Sequence, residues 1–255
     1  ETYSQLQEIR AYYALKEVDV DRYVIDGKLT QVMVSARELD QTNLPAEGWV
    51  NQRLQYTHGF GVVFSPANAV ANQGQPDFYV KGVPASTSVS ELTIYQPRIY
   101  LGETDESSEY VVVNSLQEEV DYPLSTEGQS VAYTNYSGDG GVSIGSFFKR
   151  LGFALRYSEL NLLISNQLSD TSKLIMERNV ISRVKKAAPF LYTDNDPYLA
   201  LIDGQLFWII DMYTVSDRYP YAQPADTGRI NERSGLPRNF NYIRNSVKAV
   251  VNACL

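Results

Sequence analysis

The chain has 255 residues, of which 22 are Lys or Arg and 30 are Asp or Glu, so its formal net charge is −8. It contains one His and one Cys, which excludes an internal disulfide, a Cys-rich zinc site and any mechanism that needs two histidines. The acidic charge argues against a broad nucleic-acid-binding face, and no apolar run approaches the ~20 residues of a membrane-spanning helix.

The first half of the chain is predicted to be rich in strands. Thr2 and Gln5 form a capping-box pattern, which predicts a short helix to about Leu15. An Asp26–Gly27 pair between two β-prone runs predicts a hairpin, because a type I′ turn needs positive φ at both central residues. Further strands are predicted at 54–56, 61–64, 98–101 and 110–113, with a long surface excursion over 65–98 and a loop over 121–141.

The second half begins with helical patterns. Helices are predicted over 143–157, over 159–165 with Ser158 as N-cap, and over 171–188, where Pro189 ends the last one. A second hairpin is predicted over 198–213, turning at Asp203–Gly204, and it is followed by a loop over 216–240 and a strand over 247–252. The predicted fold class is therefore α+β, with two helix-plus-β-hairpin units around a helical middle and long surface loops.

The domain organisation has two interpretations. Residues 1–255 are predicted to form a single domain, within which a β-rich lobe over 1–140 and a helix-plus-hairpin lobe over 141–255 are possible. The segments 24–29 and 201–206 match in residue type at every position, which is consistent with a duplicated unit. The alternative is that tight hairpin turns simply favour the same residues.

His58 is the one histidine and so the natural acid–base candidate near neutral pH. In a catalytic role it would work with an acidic partner such as Asp211 or Asp217. The alternative is a hydrogen-bonded structural histidine. A carboxylate that orients the imidazole inside an open pocket would favour catalysis, whereas a buried imidazole bonded to backbone would count against it.

Three other patterns have a functional and a structural interpretation. The acidic run 194–197 supplies oxygen donors but lacks the Gly and distant Glu of an EF-hand, so we interpret it as a turn. The Gly-rich run 137–141 precedes a predicted helix but lacks a phosphate-binding fingerprint, so we interpret it as a connection. The stretch 147–156 mixes aromatic residues with cations, and a core helix is favoured over one that lies on a membrane. No metal and no cofactor is predicted.

Tyrosines and a proline-bearing loop supply the candidate binding residues. Tyr supplies contact area together with a polar tip, and exposed loops often carry recognition surfaces. The candidates are Tyr56, Arg218, Tyr219 and Tyr221.

Several ordered blocks resemble one known family over nearly the whole chain. They are the blocks 22–27, 32–39, 54–61, 76–81, 140–148, 188–191, 196–198, 211–224 and 241–248. The family is uncharacterised protein family 0182, which consists of bacterial multi-spanning membrane proteins with a large extracytoplasmic region. The resemblance implies that this chain is the extracytoplasmic piece of a longer protein, with that protein's own transmembrane region as its partner. It also implies a further hairpin after Cys254, so that residues 247–251 would expose an unpaired strand edge.

The resemblance brings no established activity, so two functions stay open. The first is a non-enzymatic module at the cell envelope that binds a small ligand or an envelope protein, but no nucleic acid. The second is an envelope hydrolase that uses His58. A third possibility, a subunit of a transporter, depends on the membrane portion. The gene upstream of Glu1 is expected to encode transmembrane helices.

Overall fold

The computed structural model describes residues 2–7, 9–71, 74–105, 108–124, 130–226, 228 and 234–254. Its α-helices are α1 (Thr2–Gln7), α2 (Phe147–Tyr157), α3 (Asn161–Ile164) and α4 (Val180–Ala187). Its strands, in chain order, are β1 (Tyr13–Ala14), β2 (Asp19–Ile25), β3 (Lys28–Ala36), β4 (Glu38–Leu39), β5 (Gly59–Phe60), β6 (Val62–Pro66), β7 (Val80–Lys81), β8 (Ser86–Thr87), β9 (Arg98–Ile99), β10 (Tyr110–Val113), β11 (Glu119–Pro123), β12 (Val131–Thr134), β13 (Val142–Ser143), β14 (Lys173–Met176), β15 (Tyr192–Thr193), β16 (Tyr198–Ile202), β17 (Gln205–Ser216) and β18 (Tyr242–Asn252). The α+β class is confirmed, with more strand than helix.

The two larger sheets are each organised around one of the predicted hairpins. One sheet has the order β2-β3-β6-β7-β8, and the other has β17 at its centre, pairing with β15, β16 and β18. Both hairpins turn through two residues of positive φ, at Asp26–Gly27 and at Asp203–Gly204, as the type I′ prediction requires. The hairpins are confirmed, whereas the larger helix-plus-hairpin units and their duplication stay predictions.

The largest hydrophobic cluster takes side chains from both halves of the chain. It includes Val34 and Phe64 from the first large sheet, together with Trp208 and Ile210 from the second. Trp208 donates its indole N–H to the carbonyl of Leu101 at 2.9 Å, which satisfies the polar atom of a fully buried ring. The division into one domain or two lobes stays a prediction.

The predicted loop over 121–141 is confirmed over 135–141, but it is wrong over 121–123 and 131–134. β11 and β12 pair there as an antiparallel hairpin, with 125–129 outside the described residues. The buried side of β11 carries Glu119 and Asp121, which break the apolar alternation that identifies a strand. Both carboxylates have hydrogen-bond partners, so their burial is tolerated although the sequence gives no sign of it.

The predicted helix over 171–188 is also wrong in its first part. Residues Lys173–Met176 form β14, the central strand of the sheet β10-β14-β13, and the helix begins only at Val180. A short apolar run does not distinguish a buried strand from a helix, so only the neighbouring strands decide. In the same way, residues 54–55, predicted as strand, lie in the π-helical turn Asn51–Gln55.

The ends of three predicted helices differ from the structure. The first helix stops at Gln7 instead of about Leu15, and the chain is left-handed at Ile9. Ser158, predicted as an N-cap, is instead the left-handed C-cap of α2, whose own N-cap is Ser146. The predicted surface excursion over 65–98 contains two short strands, and it buries Val80 completely.

The interpretation of α2 as a core helix is correct for one side of the helix. Ala154 is buried in a hydrophobic cluster against which Phe153 and Tyr157 pack, whereas Phe147, Phe148 and Leu155 are exposed. Arg150, expected on the wet edge, instead donates inward to the carbonyl of Ile144 at 2.9 Å. Within the part of the chain that the structure describes, no helix is long and apolar enough to cross a membrane.

Candidate functional site

A cleft with a buried arginine at its base is the strongest candidate site. Arg178 lies between β14 and α4, after the left-handed Glu177, and is only 3% exposed. Its guanidinium donates to the carbonyl of Tyr100 at 2.9 Å, to the carbonyl of Thr57 at 2.7 Å and to the hydroxyl of Ser108 at 3.3 Å. One side chain therefore connects three distant segments at the base of the cleft.

None of these three hydrogen-bond partners of Arg178 carries a charge, so buried carboxylates supply the compensation. Burial, followed by the charge of the nearby Arg53, lowers the pKa of Arg178 to about 10, whereas Glu38 and Glu119 oppose the shift. Glu119 accepts hydrogen bonds from the hydroxyl groups of Tyr100, at 2.8 Å, and of Thr57. It also accepts one from the backbone N–H of Tyr136 at 3.0 Å. The cation is held by a connected polar network, which fixes its orientation.

Glu38 lies beside this network and is also buried. It accepts from the backbone N–H of Thr104 at 3.1 Å. Burial raises the pKa of Glu38 to about 7, although the Arg178 charge and backbone hydrogen bonds act in the opposite direction. The site therefore places a carboxyl that titrates near neutral pH behind its cationic base.

The cleft above Arg178 has a volume of about 430 Å³, which is within the range for a small molecule. Charges of both signs surround it. Its lining consists of Thr104, Asp105, Ser108, Glu109, Arg156, Tyr157, Glu177, Arg178, Asn179, Ser182 and Lys186. Three cations thus face three carboxylates, so the lining as a whole is close to neutral.

Two of the cations converge on one carboxylate at the rim. Glu177 forms an ion pair with each of them: Arg156 lies 2.7 Å from one carboxylate oxygen, and Lys186 lies 2.5 Å from the other. Arg156 and Lys186 are both exposed, so these pairs are screened by solvent and contribute little to stability. What the two ion pairs do is hold both cations in position at the mouth of the cleft.

The N-terminus of α4 forms another wall. Asn179 caps the helix by accepting from the backbone N–H of Ser182 at 2.9 Å. Its side-chain amide donates to the carbonyl of Glu103 at 2.8 Å and to Asp105 at 3.1 Å. These bonds tie the loop around 103–105 to the helix, so this wall is ordered before any ligand enters.

His58 lies near this network but away from open space. It is buried at 1% exposure and donates from Nδ1 to the carbonyl of Gly59 at 3.0 Å. Among the described residues its Nε2 has no hydrogen-bond partner, and the Asp121 carboxylate is 3.9 Å away. Burial lowers the pKa of His58 to about 4, so the imidazole is neutral at pH 7. This is the arrangement that counts against a catalytic role.

The acidic partners considered for His58 lie elsewhere. Asp211, on β17, accepts from Lys248 and, at 3.0 Å, from Asn245, both on β18. Partial burial alone would raise its pKa, but these hydrogen bonds lower it below its usual range. Asp217 is exposed and contacts its neighbour Arg218 at 3.8 Å. The carboxylate found within 4 Å of His58 is instead that of Asp121, which holds Arg98 through two bonds of 2.8 Å.

The predicted binding residues fall on two different segments. Tyr56 is half-buried and packs edge-on against Tyr12 at 5.3 Å. Tyr219 stacks on Tyr242 at 4.8 Å beside β18, and Tyr221 is exposed. None of these tyrosines lines the cleft above Arg178.

The acidic run 194–197 lies near other carboxylates, but the described residues contain no group of His, Cys, Asp or Glu that could hold a metal ion.

The sequence analysis missed Arg178, the residue at the base of the cleft. It occurs in a run predicted as helix, where arginine normally marks the solvent face. The one sequence signal is indirect, because Asn179 followed by an apolar-periodic run is an N-cap pattern. That pattern would have placed the start of α4, and with it Arg178, at the junction with β14.

Together the fold and the cleft define an α+β protein with a small polar pocket above a buried arginine. The chain belongs to the uncharacterised protein family UPF0182, whose family model matches residues 1–254. The resemblance seen in the sequence blocks is thus confirmed.

Similar proteins of this family are found in several organisms. The UPF0182 protein of Pelotomaculum thermopropionicum is 45% identical over 255 residues, covering 99% of this chain and 26% of the relative. Those of Moorella thermoacetica and Trichodesmium erythraeum are each 46% identical, and 26% and 28% of their lengths are covered. The chain spans about a quarter of the length of these relatives. No solved structure matches the chain.

Proposed function

We propose that this chain is a non-enzymatic, ligand-binding module of a longer membrane-anchored protein, and that it lies on the extracytoplasmic side of the membrane. The observation that carries the binding role is the cleft of about 430 Å³ above the buried Arg178. The membrane anchor and the envelope location rest on the family resemblance and on relatives about four times as long. The location fails if the gene upstream of Glu1 encodes no transmembrane helix.

The ligand that fits best is a small molecule with charges of both signs, such as a free amino acid. Arg178 offers a desolvated guanidinium, which suits a carboxylate, and the N-terminus of α4 favours the same charge. Glu109 and Asp105, which also line the cleft, suit an ammonium group. A ligand of a single sign would leave one set of lining charges without compensation.

Binding is tested by the thermal stability of the chain against a panel of free amino acids, with dicarboxylates and polyamines as single-sign comparators. A ligand that binds only the folded state raises the Tm in a concentration-dependent way. At least one amino acid is expected to raise the Tm, and Lys186→Ala is expected to weaken its binding by about tenfold. Lys185→Ala is the matched control, because Lys185 is exposed on the same helix but lies outside the cleft.

Two results would contradict this function. One is a panel in which no amino acid changes the Tm at any concentration. The other is a Tm increase that Lys185→Ala and Lys186→Ala reduce equally, since a ligand in the cleft must distinguish them. A stronger effect of dicarboxylates or polyamines would replace the proposed ligand class with one of single charge.

A further inference from the structure

The outer surface of α2 and α3 carries five large apolar side chains exposed to solvent. We name this surface the α2–α3 face, and it consists of Phe147, Phe148, Leu155, Leu160 and Ile164. Each of these side chains is between 63% and 82% exposed. Single exposed apolar residues are ordinary, but a concentration on two consecutive helices marks an interaction surface.

Helix geometry places two of the α2 residues on one side. Phe148 and Leu155 are seven residues apart, which is close to two full turns, so they lie on the same face. Phe147 is next to Phe148, and their rings contact edge-on at 5.9 Å. Ala154 lies on a different side of the helix, where Phe153 and Tyr157 also pack on the protein. α2 therefore has an apolar inner side and, in addition, an apolar row that faces outward.

The short helix α3 repeats the arrangement. Leu160 and Ile164 are four residues apart, so they lie on one face, and both are exposed. Leu162, between them, is completely buried and anchors the helix. α3 packs directly against α2, so the two exposed apolar rows belong to neighbouring helices.

Charge distinguishes the kinds of partner that this face could take. From residue 140 to residue 158 the chain has three cations and no acidic residue, although its net charge is −8. Arg150 donates inward and Arg156 pairs with Glu177, so the exposed Lys149, next to Phe148, is the cation that borders the apolar row. Aromatic and leucine side chains next to cations are the composition of helices that lie in the interface of anionic membranes.

We propose that the α2–α3 face docks on the surface of an anionic lipid bilayer, with its apolar side chains inserted at the boundary between headgroups and acyl chains. Lys149 contacts the headgroups beside it. Side chains that are exposed to this extent project from the protein instead of lining a groove, which suits a fluid lipid surface. This inference does not depend on the ligand-binding cleft, and each could fail while the other holds.

The test is co-sedimentation of the 255-residue chain with vesicles. One set combines phosphatidylcholine with phosphatidylglycerol, and the other contains phosphatidylcholine alone. The chain is expected to bind the anionic vesicles, and Phe148→Ser and Leu155→Ser are each expected to lower the partition constant by about tenfold. Lys149→Ala is expected to lower binding to anionic vesicles by about fivefold and to leave binding to neutral vesicles unchanged.

Matched variants provide the controls. Phe190 is 79% exposed against 82% for Phe148, and Leu29 is 71% exposed against 72% for Leu155. Both lie outside α2 and α3, so Phe190→Ser and Leu29→Ser are expected to bind vesicles as the unaltered chain does. Lys28→Ala serves in the same way for Lys149→Ala. All of these positions are exposed, so the substitutions are expected to leave the fold intact.

Three outcomes would overturn the proposal. The chain could fail to bind anionic vesicles. It could bind them with the control variants as strongly reduced as the α2 variants. It could also self-associate through this face, in which case sedimentation equilibrium would show an oligomer that Phe148→Ser dissociates while vesicles are ignored. That last result would assign the face to a second copy of the chain.

Discussion

Buried charges decide most of what is distinctive about individual residues in this protein. Arg178, Glu119 and Glu38 are all less than 5% exposed, and each has hydrogen-bond partners in the core. Burying an ion costs several kcal/mol unless it is paired or hydrogen-bonded, so such a network is tolerated only when its members are held together. The single His58 lies at the edge of this network and remains neutral.

The buried His58 makes stability depend on pH in the acidic range. Its pKa is about 4 in the folded protein and about 6.5 when unfolded, so the unfolded state binds more protons between these values. The stability that a neutral His58 provides is therefore present above pH 6.5 and is lost as the pH falls towards 4. Between pH 7 and pH 5 this loss is expected to be about 2 kcal/mol.

Chemical denaturation of the unaltered chain and of His58→Gln at pH 7 and pH 5 measures this effect. The glutamine variant is expected to lose about 2 kcal/mol less over that interval, because its side chain does not titrate. Equal pH dependence in the two proteins would show that His58 is not held neutral by burial. A variant that does not fold at pH 7 would show that the ring is needed for packing against Tyr100, 4.9 Å away.

The elements of this fold were recognised where their local signals are strong. Both hairpins turn at an Asp-Gly pair with positive φ at each residue, a conformation that the sequence specifies by itself. β14 was mistaken for helix because its four residues owe their conformation to pairing with β10 and β13. A strand of that kind is defined by contacts that are distant in sequence.

The two hairpin turns are alike in sequence but differ in their surroundings. A Cβ added at Gly27 would meet nothing within 4 Å, whereas one added at Gly204 would lie well inside contact distance of the Tyr95 ring. The Tyr95 backbone is held beside Gly204, because its N–H donates to the carbonyl of Gly204 at 2.8 Å, so relief of the contact requires the exposed ring to rotate. Gly27→Ala is therefore expected to cost about 1 kcal/mol from positive φ alone, and Gly204→Ala about 3 kcal/mol.

Urea denaturation of the two alanine variants measures the difference directly. The pair is internally controlled, because the φ angles of Gly27 and Gly204 are 72° and 75°. Equal destabilisation by the two substitutions would mean that the contact with Tyr95 contributes nothing. A larger loss at Gly27 would contradict the packing of both turns.

At the scale of the whole molecule, carboxylates from distant parts of the chain gather beside the cleft. The group consists of Glu17, Asp19, Glu38, Glu103 and Asp196, and every member except Glu103 raises the pKa of at least one other member. Burial, followed by repulsion from Glu38, raises the pKa of Glu103 to about 9, and burial raises that of Asp19 to about 6. The folded protein therefore retains protons on carboxyl groups that the unfolded chain has already released.

This group is expected to destabilise the protein as the pH rises. A carboxyl whose pKa is raised on folding binds more protons in the folded state, so the free energy of unfolding falls as the pH increases towards that pKa. Between pH 7 and pH 9, Glu103 is expected to account for a loss of about 2 kcal/mol. The histidine effect lies below pH 6.5, so the two ranges are separate.

Glu103→Gln tests the group, with Glu118→Gln as a control at an exposed glutamate outside it. The free energy of unfolding of Glu103→Gln is expected to be nearly constant between pH 7 and pH 9, while the control follows the unaltered chain. If Glu103→Gln loses stability over this range as steeply as the unaltered chain does, Glu103 is already ionised at neutral pH.

The sequence by itself determined the α+β class, both hairpins, β10 and the family. These features depend on short-range signals, such as turn residues with positive φ, or on long ordered blocks of matching sequence. The start of α4 was indicated only indirectly, because the N-cap signal of Asn179 lies within a run that also fits one long helix.

Only the tertiary structure decided which side of each element is buried and which charges meet. The sequence predicted the aromatic residues of α2 in the core and Arg150 in solvent, but the fold exposes Phe148 and turns Arg150 inward. It offered His58 as the reactive residue, yet the cleft formed above Arg178 instead. A charge is buried only where hydrogen-bond partners are available, and those of Arg178 include Tyr100 and Thr57, which are 78 and 121 residues away in the sequence. No local sequence pattern indicates such partners.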